Sequence, residues 1–173
     1  MLDLALAHRQ ADAREAALAK FLALYGEDCA RHTALFPGME RVLQALERAA
    51  IPWGVVTNKP VELACRVLRG LGLEDRCRVL LGGDSLPRRK PDPLPLQAAC
   101  ERLGVAPGEA LYVGDDERDM QAARACGMPA VAAAWGYLPP GTEVGDWMPD
   151  GVAHRPEALL DLLGLARGAA RSS

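Results

Sequence analysis

From residue 38 onward, segments with apolar side chains at helical spacing alternate with apolar runs of three or four residues, and most changes are marked by Gly or Pro. Val42, Leu43, Leu46 and Ala49 form one helical stripe after Phe36-Pro37-Gly38, and Trp53-Gly54-Val55-Val56 follows as a β-prone run. Val61, Leu63, Ala64, Val67 and Leu68 form a second stripe, closed by Gly70 and Gly72. The rhythm continues through Val79-Leu80-Leu81, a helix over 94–103, a strand over 110–113 and a helix carrying Met120, Ala123 and Ala125. That helix ends at Gly127, and Ala130-Val131-Ala132-Ala133 is read as the last buried strand. Strands this short and apolar, separated by helices, predict a parallel sheet covered by helices on both faces. Residues 2–25 carry a helical stripe outside this rhythm, so 1–35 is read as the remnant of a helical cap and 36–165 as the α/β core. Trp135 to Gly151, rich in Gly and Pro, is read as a loop, Glu157–Leu163 as a closing helix entered through Pro156, and 166–173 as a frayed tail.

The 173 residues, half of them apolar, suffice for one domain with a real core. Twenty-three acidic residues against 20 basic ones, with no basic block, argue against a nucleic acid partner. No apolar run reaches membrane-spanning length, and the first residues lack a signal-peptide layout. Five cysteines without a Cys-x-x-Cys pair fit reduced thiols in a cytoplasmic protein rather than a disulfide framework.

Polar residues converge on the carboxyl ends of the strands, where ligands of open α/β sheets bind. The run Leu111-Tyr112-Val113-Gly114 releases Asp115, Asp116 and Asp119. Grouped carboxylates suit a hard cation such as Mg²⁺, and equally suit the N-terminus of a helix, where Asp115 or Asp116 would cap and Asp119 would favour the positive end of the dipole. The strand ending at Val56 delivers Thr57 and Asn58 to the same edge, either as phosphate-binding groups or as caps of the helix that Pro60 opens. In Arg88-Arg89-Lys90-Pro91-Asp92-Pro93, the prolines stiffen the loop and present Lys90 from an extended backbone, as an ammonium aimed at an anion would need.

The order Thr57-Asn58, Lys90-Pro91-Asp92-Pro93, Gly114-Asp115-Asp116 and Asp119 resembles the haloacid dehalogenase superfamily of Mg²⁺-dependent phosphatases, in its phosphoglycolate phosphatase-like branch. The resemblance spans about Phe21 to Leu163 and implies a Rossmann-like core. It implies that Thr57, with Asn58, binds the transferring phosphoryl group of a small phosphorylated metabolite and that Lys90 neutralises its charge. It also implies that Asp115 holds Mg²⁺, with Asp116 and Asp119 supporting. The strings Asp28-Cys29-Ala30-Arg31-His32, Leu35-Phe36-Pro37-Gly38-Met39, Trp53 to Pro60 and Trp135-Gly136-Tyr137 resemble, more closely, bacterial N-acetylmuramic acid 6-phosphate phosphatases.

The Asp-x-Asp-Gly-Thr string that carries the family's attacking aspartate is absent from this sequence. The resemblance puts that strand before Met1 and in the middle of the sheet, between the strands ending at Thr57 and before Asp115. The expectation is therefore an N-terminally truncated phosphatase whose two central strands lack a partner; the alternative is a non-catalytic phosphate- or Mg²⁺-binding, or interaction, domain.

Overall fold

The computed structural model describes residues 33–166. The expected cap remnant lies almost wholly outside these residues, as does the tail from 167. Five helices, α1 Met39–Arg48, α2 Val61–Gly70, α3 Leu94–Leu103, α4 Glu117–Ala125 and α5 Ala158–Leu162, alternate with five strands among the described residues. The strands are β1 Gly54–Val56, β2 Val79–Leu81, β3 Tyr112–Gly114, β4 Ala130–Ala133 and β5 Gly151–Ala153. All pairings are parallel, as the alternation predicts.

The strands form two sheets, one with the order β1-β2 and the other β3-β4-β5. No ladder joins β1 to β3 among the described residues. The backbones flanking β1 show which way each group points: Arg78 N–H donates to Trp53 O and Thr57 N–H to Leu81 O, both 2.9 Å. Alternate residues of a parallel strand bond to opposite sides, so Val56 presents its N–H and carbonyl away from β2. On β3, Tyr112 N–H donates to Pro129 O at 2.9 Å, which turns Val113 away from β4. The strands thus leave a seam between β1 and β3, where the resemblance leaves the two central strands without a partner.

Helices on both faces cover the seam. On one face α1 places Leu43 with Trp53, Val55 and Leu80 over the first sheet, and Val42 with Val131, Ala153 and Leu159 over the second. On the other face α3 sets Ala99 against Val79 and Leu81, while its Leu96 and Cys100 pack with Met120, Ala123 and Ala132. Leu81, Leu96, Met120 and Val42 are the largest fully buried side chains, and Leu96, Met120 and Val42 belong to clusters that join the two halves.

Strand β5 corrects the reading of β4 as the last strand. Three residues are too few for a periodic signal, and partners drawn from elsewhere hold β5 in place. Asp150 N–H donates to Ala130 O at 2.9 Å and Ala134 N–H to Ala153 O at 2.8 Å, and Ala130 N–H donates to the Asp150 carboxylate at 2.8 Å. Within the expected loop, Val144–Trp147 also forms a short 3₁₀ turn. No helix among the described residues is long and apolar enough to cross a membrane.

Candidate functional site

The carboxyl ends of β1 and β3 and the loop after β2 meet around one buried ammonium. Lys90 is 7 % exposed. Its Nζ donates to Asp119 Oδ1 at 2.6 Å, to the Tyr112 hydroxyl at 2.7 Å and to Val56 O at 2.8 Å. An ammonium has three hydrogens, so these contacts account for all of them. The anion at which the stiff loop aims Lys90 is therefore Asp119, itself 6 % exposed. A buried charge needs such a partner, and neither residue could sit there alone. The Tyr112 hydroxyl donates in turn to Val56 O at 2.9 Å, so this seam-facing carbonyl accepts from two donors. Burial, first, and the nearby Asp119 and Asp115 charges push the Tyr112 phenol well above its usual value.

Asn58 joins the same cluster, its Nδ2 donating to Lys90 O at 2.9 Å, while its buried Oδ1 has no partner. The Thr57 hydroxyl oxygen accepts from Lys59 N–H at 3.1 Å, which organises the turn and leaves the hydroxyl hydrogen free to donate. Neither residue caps α2. That cap comes from Asp84 in the following loop, whose carboxylate accepts from Val61 N–H at 2.8 Å.

The three clustered aspartates take different roles. Asp116 is the N-cap of α4, accepting from Arg118 N–H at 2.9 Å. Two further bonds from the Arg118 guanidinium, at 2.8 and 2.6 Å, hold its carboxyl down at about 2. Asp119 belongs to Lys90. Asp115 is the one left without a cationic partner among the described residues: Oδ2 accepts from Tyr137 N–H at 3.2 Å, and Oδ1 has no protein donor among them. Gly136 permits this approach, since a Cβ there would lie 2.3 Å from the Asp115 Cβ. Gly114 does the same for Asp119, with a Cβ clash at 2.4 Å.

A Mg²⁺ ion commonly takes one or two protein carboxylates and completes its octahedron with water and substrate phosphate. Asp115 fits that demand as a single ligand. Asp116 and Asp119, expected beside it, are committed to Arg118 and Lys90, and among the described residues no three His, Cys, Asp or Glu side chains gather where they could hold a metal. Tyr112, Asp84 and Arg118 were not singled out by the sequence. Asp84 stands in a Gly-Gly-Asp-Ser turn that marks a loop but does not name the helix it caps.

The sequence pattern of the haloacid dehalogenase-like hydrolases matches residues 3–133. The chain is 50 % identical over 159 residues to a phosphoglycolate phosphatase of Xanthomonas campestris pv. campestris, covering 92 % of this chain and 72 % of that protein. It is 40 % identical over 144 residues to an N-acetylmuramic acid 6-phosphate phosphatase of Pseudomonas aeruginosa, covering 83 % of this chain and 64 % of the relative. Among solved structures, that of a predicted phosphoglycolate phosphatase from Haemophilus somnus 129PT superposes with a TM-score of 0.75 at 31 % identity, over 80 % of this chain and 61 % of the other. The chain thus spans between three fifths and three quarters of the length of these proteins.

Proposed function

Given that the chain belongs to the haloacid dehalogenase-like hydrolases, we propose that it supplies the phosphate- and metal-binding side of a phosphoric monoester hydrolase acting on a small phosphorylated metabolite. The observation that carries this reading is the buried Lys90 ammonium, bonded to Val56 O, the Tyr112 hydroxyl and Asp119 at the strand edge that also delivers Thr57, Asn58 and Asp115. The Thr57 hydroxyl would donate to one phosphoryl oxygen. A Lys90 hydrogen can turn from Val56 O to a second phosphoryl oxygen without orphaning that carbonyl, because Tyr112 still donates to it. Asn58 has one amide hydrogen left for substrate. Asp115 would hold Mg²⁺ through Oδ1, and a bound Mg²⁺ supplies neutralisation of phosphoryl charge.

An attacking carboxylate of the kind the resemblance implies, on an Asp-x-Asp-Gly-Thr strand, is carried by no residue of this sequence. What the chain itself offers is therefore binding and charge neutralisation, which make up most of phosphoryl-transfer catalysis. The lack of an attacking carboxylate among these residues supports a second reading, a phosphate-binding domain without turnover. Calorimetric titration with inorganic phosphate, with and without Mg²⁺, tests both. Binding is expected to weaken roughly tenfold in Thr57→Val, and Asp115→Asn is expected to abolish its Mg²⁺ dependence. Absence of phosphate binding in the unmodified chain would sink both readings; hydrolysis of a phosphomonoester by the purified chain would exclude the second.

A further inference from the structure

At the amino ends of β1 and β2, opposite the edge that carries Thr57, Lys90 and Asp115, lies a cavity of about 400 Å³, a size ordinary for a small-molecule site. Ala50, Ile51, Pro52 and Trp53 give it an apolar wall. Ala50 sits there at φ 54°, a left-handed backbone that normally calls for Gly. Ionic bonds fix the surroundings of that wall. The Arg76 guanidinium donates from Nε to Glu47 Oε1 at 2.8 Å and from Nη1 to Glu40 Oε2 at 3.1 Å, and the Trp53 indole N–H reaches Glu47 Oε1 at 3.4 Å. These four residues tie α1 to the segments that enter both strands.

Two charges on the cavity take no part in that network. Asp75 and Arg78 both line it and are both exposed. Neither side chain has an ion pair or hydrogen bond among the described residues, and the two form no pair with each other. Only the Arg78 backbone is engaged, its N–H donating to Trp53 O. A ligand that satisfies both charges must itself carry an anion and a cation, and the apolar wall asks for an uncharged body beside them. We infer that the cavity binds an α-amino acid with an apolar side chain, its carboxylate on Arg78, its ammonium on Asp75 and its side chain against the wall that Trp53 and Pro52 form. The guanidinium fork matches a carboxylate through two parallel N–H···O bonds, and the Asp75 carboxylate accepts from the ammonium. The site shares no residue with the phosphate-binding edge.

Titration of the full, isotope-labelled chain with L-phenylalanine, N-acetyl-L-phenylalanine and L-phenylalaninamide tests this, followed by NMR through the indole N–H resonances of Trp53, Trp135 and Trp147. The Trp53 signal is identified by its loss in Trp53→Phe. Phenylalanine is expected to shift that signal with a Kd of about 2 mM or tighter, the range open to a ligand of about a dozen heavy atoms, and to leave the other two in place. The acetylated and amidated forms, which lack the ammonium and the carboxylate respectively, are expected to bind more weakly by roughly fivefold or more. Arg78→Ala is expected to erase the preference for phenylalanine over its amide, and Asp75→Asn the preference over the acetylated form. Loss of structure would not produce this crossed pattern. An unmoved Trp53 signal at about 20 mM phenylalanine, equal binding of the three compounds, or preferences that survive both substitutions would overturn the assignment.

Discussion

Lys90 and Asp119 hold each other inside the protein at 2.6 Å, with side chains each 8 % exposed. Removing one partner leaves the other charge buried and uncompensated, so Lys90→Met is expected to cost roughly 3–5 kcal/mol in urea unfolding, while the double variant Lys90→Met/Asp119→Leu recovers most of it. Equal losses in the single and double variants would show that the pair is not what holds this corner. Asp116 behaves differently because it is near the surface, where Arg118 holds its carboxyl at about 2 against an ordinary 3.8. A depressed carboxyl stabilises the fold above its unfolded value and loses that contribution as pH falls through the folded value. The urea midpoint of Asp116→Asn, which keeps a capping side chain, is therefore expected to lie slightly below the unmodified chain at pH 6 and to converge with it by about pH 2. The acidic run Asp115-Asp116-Asp119 was legible as a cluster at the end of β3 but its division of labour was not. Asp116 follows a local capping rule and could be read in place, whereas Asp119 finds its partner 29 residues away, and nothing local to either residue announces the pair. Tyr112 is hidden for the same reason: within an apolar run it reads as strand filling, and only the fold brings its hydroxyl to Lys90.

Helices α2 and α3 and strands β2 and β4 lie where their Gly and Pro punctuation puts them, because turn residues act on their immediate neighbours and need no tertiary context. Caps and edge strands escape such a reading when their partners come from another loop. The α2 N-terminus depends on Asp84, 23 residues beyond Val61. Asp84→Ala is expected to lower stability by about 1 kcal/mol, with Asp84→Asn recovering much of the loss, measured as a shift in urea midpoint. An unchanged midpoint in Asp84→Ala would mean that the Val61 N–H is satisfied some other way. The strand β5 was missed on similar grounds, since Asp150 and Gly151 look like a turn and their bonds to β4 appear only when the two segments meet.

For the molecule as a whole, the governing feature is the seam between β1 and β3. In ladders of this kind a backbone amide without a partner exchanges its hydrogen through small local openings, whereas a paired one waits for larger ones. Val56 and Val113 amides, which face the seam, are expected to exchange at least about a hundredfold faster than Val131 and Ala132 in the middle of the second sheet. A peptide bearing an apolar strand that ends in Asp-x-Asp-Gly-Thr is expected to slow both at once; protection of only one would mean that it does not seat between the strands. The α/β alternation announced the layers, while the seam became legible only through the resemblance, since strand order leaves no mark on local sequence. The seam also falls at one point in the chain: the first sheet and both bridging helices, α1 and α3, come before Val105, and the second sheet comes after Pro107. Cut at that connection, the chain becomes two fragments, one of which carries both bridging helices. Co-expressed and tagged with the halves of a reporter, they would form a reassembly pair whose signal measures how well Leu96, Cys100 and Val42 grip the opposite half.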